Sequence, residues 1–152
     1  MNQDIKYMKL ALNEAKKAAL IDEVPVGAVI VKDDVVIAKA HNLRQKKKSV
    51  LGHAEIIAIQ KANKKLDSWI LDDCTMYVTV EPCIMCAGTI IQSRIKRVVY
   101  ATDEPKFGAL GSVIDLSQVD GFNHHISVEK GILQEDASKL MKDFFKNKRN
   151  KQ

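Results

Sequence analysis

A chain of 152 residues with 46% hydrophobic and 28% charged side chains has the makings of one domain, residues 1–152, with a real core. It has no run near the roughly 18 apolar residues of a membrane span. Its opening Met1-Asn2-Gln3-Asp4-Ile5-Lys6 lacks an apolar leader, so the mature chain is expected to begin near Met1 and stay in the cytoplasm without membrane contact. The net charge of +5 favours an acidic partner without naming one.

Ile5, Met8, Leu12, Ala15 and Ala19 recur at helical spacing, which predicts an amphipathic helix over about residues 3–21. Pro25-Val26-Gly27 ends it. Ala28 to Val31 and Val35 to Ala38 are β-branched runs around Lys32-Asp33-Asp34 and read as a hairpin. Residues 41–52 are polar and basic and read as a loop. His53 to Lys65 is helical through Ile56, Ile59 and Ala62, and Met76 to Val80 is a strand. Pro82 is expected to open a helix reaching about Ser93, since proline suits a first helical turn. Val98 to Tyr100 is a strand, 102–123 an irregular stretch long enough to suggest a functional loop, and Ile126 to Val128 a short strand. A last helix runs from Leu133 or Glu135 to about Lys148, with Ala137, Leu140 and Phe144 on its apolar face; Phe145 is then left for a partner. Alternating strands and helices point to an α/β sheet with helices packed on it.

Two short motifs carry the chemistry. His53-Ala54-Glu55 is followed, 27 residues on, by Pro82-Cys83-Ile84-Met85-Cys86. They offer one imidazole and two thiols, which makes three protein ligands. Structural zinc sites are closed by four, whereas catalytic ones keep a position for water. Both motifs fall at helix beginnings, where the partial positive charge favours thiolates. Glu55, two residues from the ligand His53, is placed to move protons; a lone glutamate in a first turn would simply suit the helix dipole. Three cysteines in a cytoplasmic chain argue against a disulfide framework, and Cys74, outside the spacing, reads as a buried small residue. His124 and His125 read as surface residues. Arg44, Lys46, Lys47 and Lys48 form one basic cluster, and Lys146, Lys148, Arg149 and Lys151 another. Each alone is usually a solvated face; two, one of them beside the metal motif, strengthen the case for nucleic acid.

The paired motifs match the known signature of zinc nucleobase deaminases. Across nearly its whole length the chain resembles the bacterial tRNA-specific adenosine deaminases of the cytidine-deaminase-like superfamily. The likeness is carried by Val24-Pro25-Val26-Gly27-Ala28-Val29, His41-Asn42-Leu43-Arg44, His53-Ala54-Glu55, Val78 to Gly88, Ser93-Arg94-Ile95 and Gly108-Ala109-Leu110-Gly111-Ser112. Lys48-Ser49-Val50-Leu51-Gly52 and Ala101-Thr102 depart from the family's usual residues. The resemblance implies a three-layer α/β/α fold on a five-stranded mixed sheet, and a homodimer with one Zn²⁺ per subunit. It implies conversion of adenosine to inosine at the wobble position of an arginine tRNA, bound by its anticodon stem-loop. His53, Cys83 and Cys86 would hold zinc and Glu55 would shuttle protons. Asn42 and Ala54 would meet the flipped base. Asp103, Lys106, Phe107, Gly108, Phe145 and Arg149 would line the RNA groove. By residue type alone Asn42 and Asp103 are turn residues. Two other readings stay open: a deaminase of free nucleobases or nucleosides such as guanine or cytosine, and a non-catalytic zinc-stabilised RNA-binding module.

Overall fold

A computed structural model describes residues 2–150; Met1, Gln152 and Lys151 of the second basic cluster lie outside them. Five strands, β1 (Gly27–Lys32), β2 (Val35–His41), β3 (Cys74–Val80), β4 (Arg97–Thr102) and β5 (Ser127–Lys130), form one sheet in the order β2-β1-β3-β4-β5. β1 runs antiparallel to both β2 and β3, while β3, β4 and β5 run parallel. Every strand except β1 therefore ends at the same edge of the sheet. In open α/β sheets the crevice beyond the carboxyl ends of the strands is where ligands bind.

Alternate strand residues face opposite sides. Ala28, Ile30, Met76, Val78, Val98 and Tyr100 point to one face and pack with α3 (Ala54–Leu66) and α4 (Ile84–Gln92) through Ile57, Ile59, Ile90 and Ile91. Val29, Val31, Tyr77, Val99 and Ala101 point to the other and pack with α1 (Asn2–Leu20) and α5 (Gln134–Asn150) through Tyr7, Met8, Leu12 and Ala137. The result is the three-layer α/β/α arrangement expected from the resemblance. Gly27 lets α1 approach β1 closely, because a Cβ there would collide with the Ala11 carbonyl oxygen. Among the described residues no helix is long and apolar enough to cross a membrane.

The expected helices and strands are present, with shifts. The buried face of α1 is Tyr7, Met8, Ala11, Leu12, Ala15 and Ala18, and it also buries Asp4 and Glu14; Ile5 and Ala19 lie at its margin. The expected loop at 41–52 contains the single turn α2 (Arg44–Lys47), closed behind by Leu43 N–H donating to the Gly52 carbonyl at 2.8 Å. Pro82 lies just before the Cys83 N-cap rather than inside the first turn of α4. The stretch 102–123 carries a 3₁₀ turn at Leu116–Gln118.

Asp4 ties three elements together. It accepts two hydrogen bonds from Arg97 at 3.0 and 2.7 Å and one from the Tyr77 hydroxyl at 2.7 Å. The guanidinium holds the Asp4 carboxyl below its ordinary 3.8, against the upward push of burial. Because the folded value is depressed, this stabilisation is present above about pH 3.8 and lost as the pH falls through the folded value. Asp4→Ala should cost about 3 kcal/mol, the low end for breaking a buried pair, since Arg97 keeps its contact to Glu129 at 3.0 Å. Denaturant melts from about pH 6 to about pH 3 check both points: the variant should lose less stability on acidification than the wild type. Equal losses would contradict the role given to Asp4.

Candidate active site

α3 and α4 both begin at the sheet edge where β2, β3 and β4 end. His53 is the N-cap of α3 and Cys83 the N-cap of α4, and neither side chain is used as a cap. N-cap and N3 side chains meet over the first turn of a helix. That relation brings Cys86, the third residue of α4, alongside Cys83. The His53 Nδ1 lies 3.8 Å from the Cys83 sulfur and 3.4 Å from the Cys86 sulfur. All three ligand atoms fall within 4.8 Å of one another, and no fourth His, Cys, Asp or Glu joins them among the described residues. Cys86 is fully buried, while His53 and Cys83 are half-buried and open on one side.

The three groups are close enough to shift one another's titration. A hydrogen bond from Cys86 holds the Cys83 thiol down at about 4, and the same contact pushes the Cys86 thiol far up. The Cys83 contact raises the His53 imidazole above its ordinary value. Glu55, in the first turn of α3, is only 4% exposed. Burial lifts its carboxyl from 4.5 to about 7. A group in that range can both take and give a proton near neutrality.

The other candidates fall into two sets. Asn42 follows β2, and its Oδ1 accepts the Ala54 N–H at 2.8 Å. The oxygen is thus occupied, and the amide NH₂ remains to donate to a ligand. Ala54 is buried completely at the start of α3. Lys106, Phe107, Phe145 and Arg149 line a cleft of about 900 Å³, together with Gln45 and Phe144 among others. Phe107 is 71% exposed, an unusual state for a phenylalanine without a partner. Gly108 is buried, its backbone bridging to Cys83. Asp103 is not among the cleft residues; its carboxylate accepts from the Tyr100 hydroxyl and from Lys130, each at 3.3 Å.

Two expectations are corrected. Phe144 is not a core residue but half-buried, set edge-on to Phe145 with ring centroids 5.3 Å apart. The helical period places it on the inner face, but α5 overhangs the cleft there instead of the sheet. His124 is half-buried rather than on the surface, its Nε2 2.7 Å from the Ile95 carbonyl oxygen. Lys148 of the second basic cluster pairs with Asp22 at 3.0 Å and lies over the Phe144 ring. Cys74 is buried, as its isolation from the motifs suggests. Glu23 and Glu81 are two further buried carboxylates that no side-chain spacing points to, although Glu81 sits inside a motif stretch.

Comparisons with known proteins agree with this geometry. The family model for MafB19-like deaminases matches residues 1–149. The tRNA-specific adenosine deaminase of Bacillus subtilis (strain 168) is 44% identical over 151 residues, covering 99% of this chain and 94% of that protein. The chain belongs to the tRNA-specific adenosine deaminase family. The enzyme of that name from Aquifex aeolicus (strain VF5) is 42% identical, with 95% of each chain covered. A structure solved in a study of A-to-I editing by tRNA:A34 deaminases superposes with a TM-score of 0.86 at 38% identity, over 89% of this chain and 98% of the other. A guanine deaminase from Bacillus subtilis is more distant in shape, with a TM-score of 0.64 at 35% identity over 75% of this chain and 83% of that one.

Proposed function

We propose that this chain hydrolytically deaminates adenosine to inosine at wobble position 34 of an arginine tRNA, acting as a cytoplasmic homodimer with one Zn²⁺ per subunit. The observation that carries the reading is the open three-donor group of His53, Cys83 and Cys86 beside the buried Glu55. Tetrahedral zinc with bonds of about 2.3 Å to sulfur and about 2.0 Å to nitrogen would hold its N and S donors about 3.6 Å apart. The observed 3.4 and 3.8 Å straddle that value, so these residues fit the ion. When bound, zinc lowers the pKa of a water at its open position from 15.7 to roughly 7.

The chain's own residues would do the rest. Asn42, with its oxygen held by Ala54, offers its NH₂ to an acceptor on the base. Glu55 takes a proton from the attacking water and delivers it to N1 of adenine as C6 becomes tetrahedral. It then passes the second proton to the departing ammonia. Burial keeps bulk water from intercepting these transfers. A base must leave its stack to reach such a site, and an anticodon loop already presents unstacked bases at little cost.

The cleft supports a large anionic substrate. Lys106, Lys142 and Arg149 share it with Phe107, Phe144 and Phe145, a mixture of cations for phosphates and rings for bases. Asp103 and Gly108 would act from behind this wall. Free-base deamination, the reading favoured by the guanine deaminase likeness, needs no such cleft. Ammonia release separates the two: an arginine anticodon stem-loop should be deaminated, and free adenosine, guanine and cytosine left intact. The KM for the stem-loop should also rise roughly tenfold or more between about 50 and 200 mM salt, as for a protein that meets several phosphates of a single strand. A flat salt response with turnover of a free base would favour the other reading.

A further inference from the structure

Glu23 and Glu81 are each only 2% exposed, yet among the described residues neither is paired with a lysine or arginine side chain. A buried carboxylate is costly unless hydrogen bonds satisfy it. Here the donors are main-chain amides of segments far away in sequence. The Glu81 Oε1 accepts from Glu104 N–H at 3.0 Å, and its Oε2 accepts from Leu110 N–H at 3.0 Å and Ser112 N–H at 3.1 Å. The Ser112 hydroxyl donates to the same carboxylate. On the other side, Glu23 accepts from Gln45 N–H at 3.1 Å and from Lys46 N–H at 2.7 Å.

Both bound segments face one cleft. Gln45 contributes to it from the Glu23 side, and Glu104, Lys106 and Phe107 from the Glu81 side. Lys106 and Phe107 lie between Glu104 and Leu110, whose amides Glu81 holds, so their backbone is anchored at both ends. Gly108 seats the loop directly on the carboxylate: a Cβ there would collide with the carboxyl carbon of Glu81. We propose that Glu81, and Glu23 opposite it, are positioning residues that preform the two walls of the cleft for the anticodon stem-loop, an inference that rests on the proposed tRNA substrate. Preforming the walls spares the complex the cost of ordering those loops on binding. A carboxylate suits this task because it only accepts. A glutamine would turn its NH₂ against a main-chain N–H.

The test compares stem-loop kinetics of the wild type with Glu81→Gln, Glu23→Gln, Phe107→Ala and the Glu81→Gln/Phe107→Ala pair. Each glutamine variant should raise the KM roughly tenfold, in line with losing a hydrogen bond to a charged group from the preformed state. The kcat should change by less than about twofold, and the metal content should match the wild type. The paired variant should show a smaller rise than the product of the single effects, because Glu81 acts through the loop that carries Phe107. If Glu81→Gln does not fold, Ser112→Ala, which removes one contact, should shift KM in the same direction by less. A loss confined to kcat, an unchanged KM, or effects that simply multiply would overturn the inference. Absence of inosine with the wild-type protein would overturn the substrate reading, and this inference with it.

Discussion

Replacing Glu55 with glutamine should abolish turnover while leaving the metal and the fold in place. Glutamine keeps the volume and most of the shape of the buried side chain, so the packing around α3 need not change. What it lacks is a proton that can be gained and lost. General acid–base catalysis by one positioned group is worth roughly 10²- to 10⁴-fold. Glu55 would serve two transfers, one to N1 and one to ammonia, so a fall of at least about 10³-fold is expected. The melting temperature should stay level or rise, because a costly buried ionisable group has been removed. Single-turnover kinetics with metal analysis of the same sample check this. Unchanged editing by Glu55→Gln would contradict the proton-transfer role of Glu55, whereas stem-loop binding without editing by wild type and variant alike would point to the non-catalytic RNA-binding module.

Replacing Cys86 with serine should remove the metal and the activity together. Cys86 has no exposed surface, and its sulfur lies 3.4 Å from His53 Nδ1. Serine oxygen is a poor substitute for a thiolate toward zinc. With only two protein ligands left, bound metal should fall to a small fraction of one per chain, and turnover by at least about 10³-fold. The fold should loosen at the starts of α3 and α4, because Cys83 and His53 would be left without the cation that joins them. Cys74→Ala is the control. Cys74 is just as buried, at 1% exposure, but it lies in the core at the start of β3. Its loss should cost about 1 kcal/mol of packing and leave metal and turnover intact. Full metal content in Cys86→Ser would refute the assigned ligand set.

The metal group was legible in the sequence because its geometry is local. Cys83 and Cys86 are joined by one helical turn, and His53 and Glu55 by the first turn of the helix before it, so residue spacing carries the arrangement within each motif. The strands were legible for the same reason: β-branched runs such as Ala28 to Val31 and Met76 to Val80 bury both faces. Glu23 and Glu81 were not. Their partners are main-chain amides 22 to 31 residues away, which leave no side-chain pattern to read. α2 leaves no mark in the sequence because Arg44–Lys47 has no apolar period; it is held by the Glu23 carboxylate from outside. Phe144 shows a different limit. Helical spacing tells which face a residue shares with Leu140, but not whether the neighbouring element extends far enough to cover it.

The resemblance to a family supplied what the residues alone could not. The zinc motifs narrow the chemistry to hydrolytic deamination of a base, and the cleft narrows the substrate to something long and anionic. Neither selects one nucleotide of one tRNA. The most direct measurement is therefore to incubate purified, metal-replete protein with an arginine anticodon stem-loop and sequence the reverse transcript at position 34. Adenosine should read as guanosine there, and only there, with one ammonia released per loop. An unchanged adenosine at that position, in protein shown to hold its zinc, would contradict the proposed function.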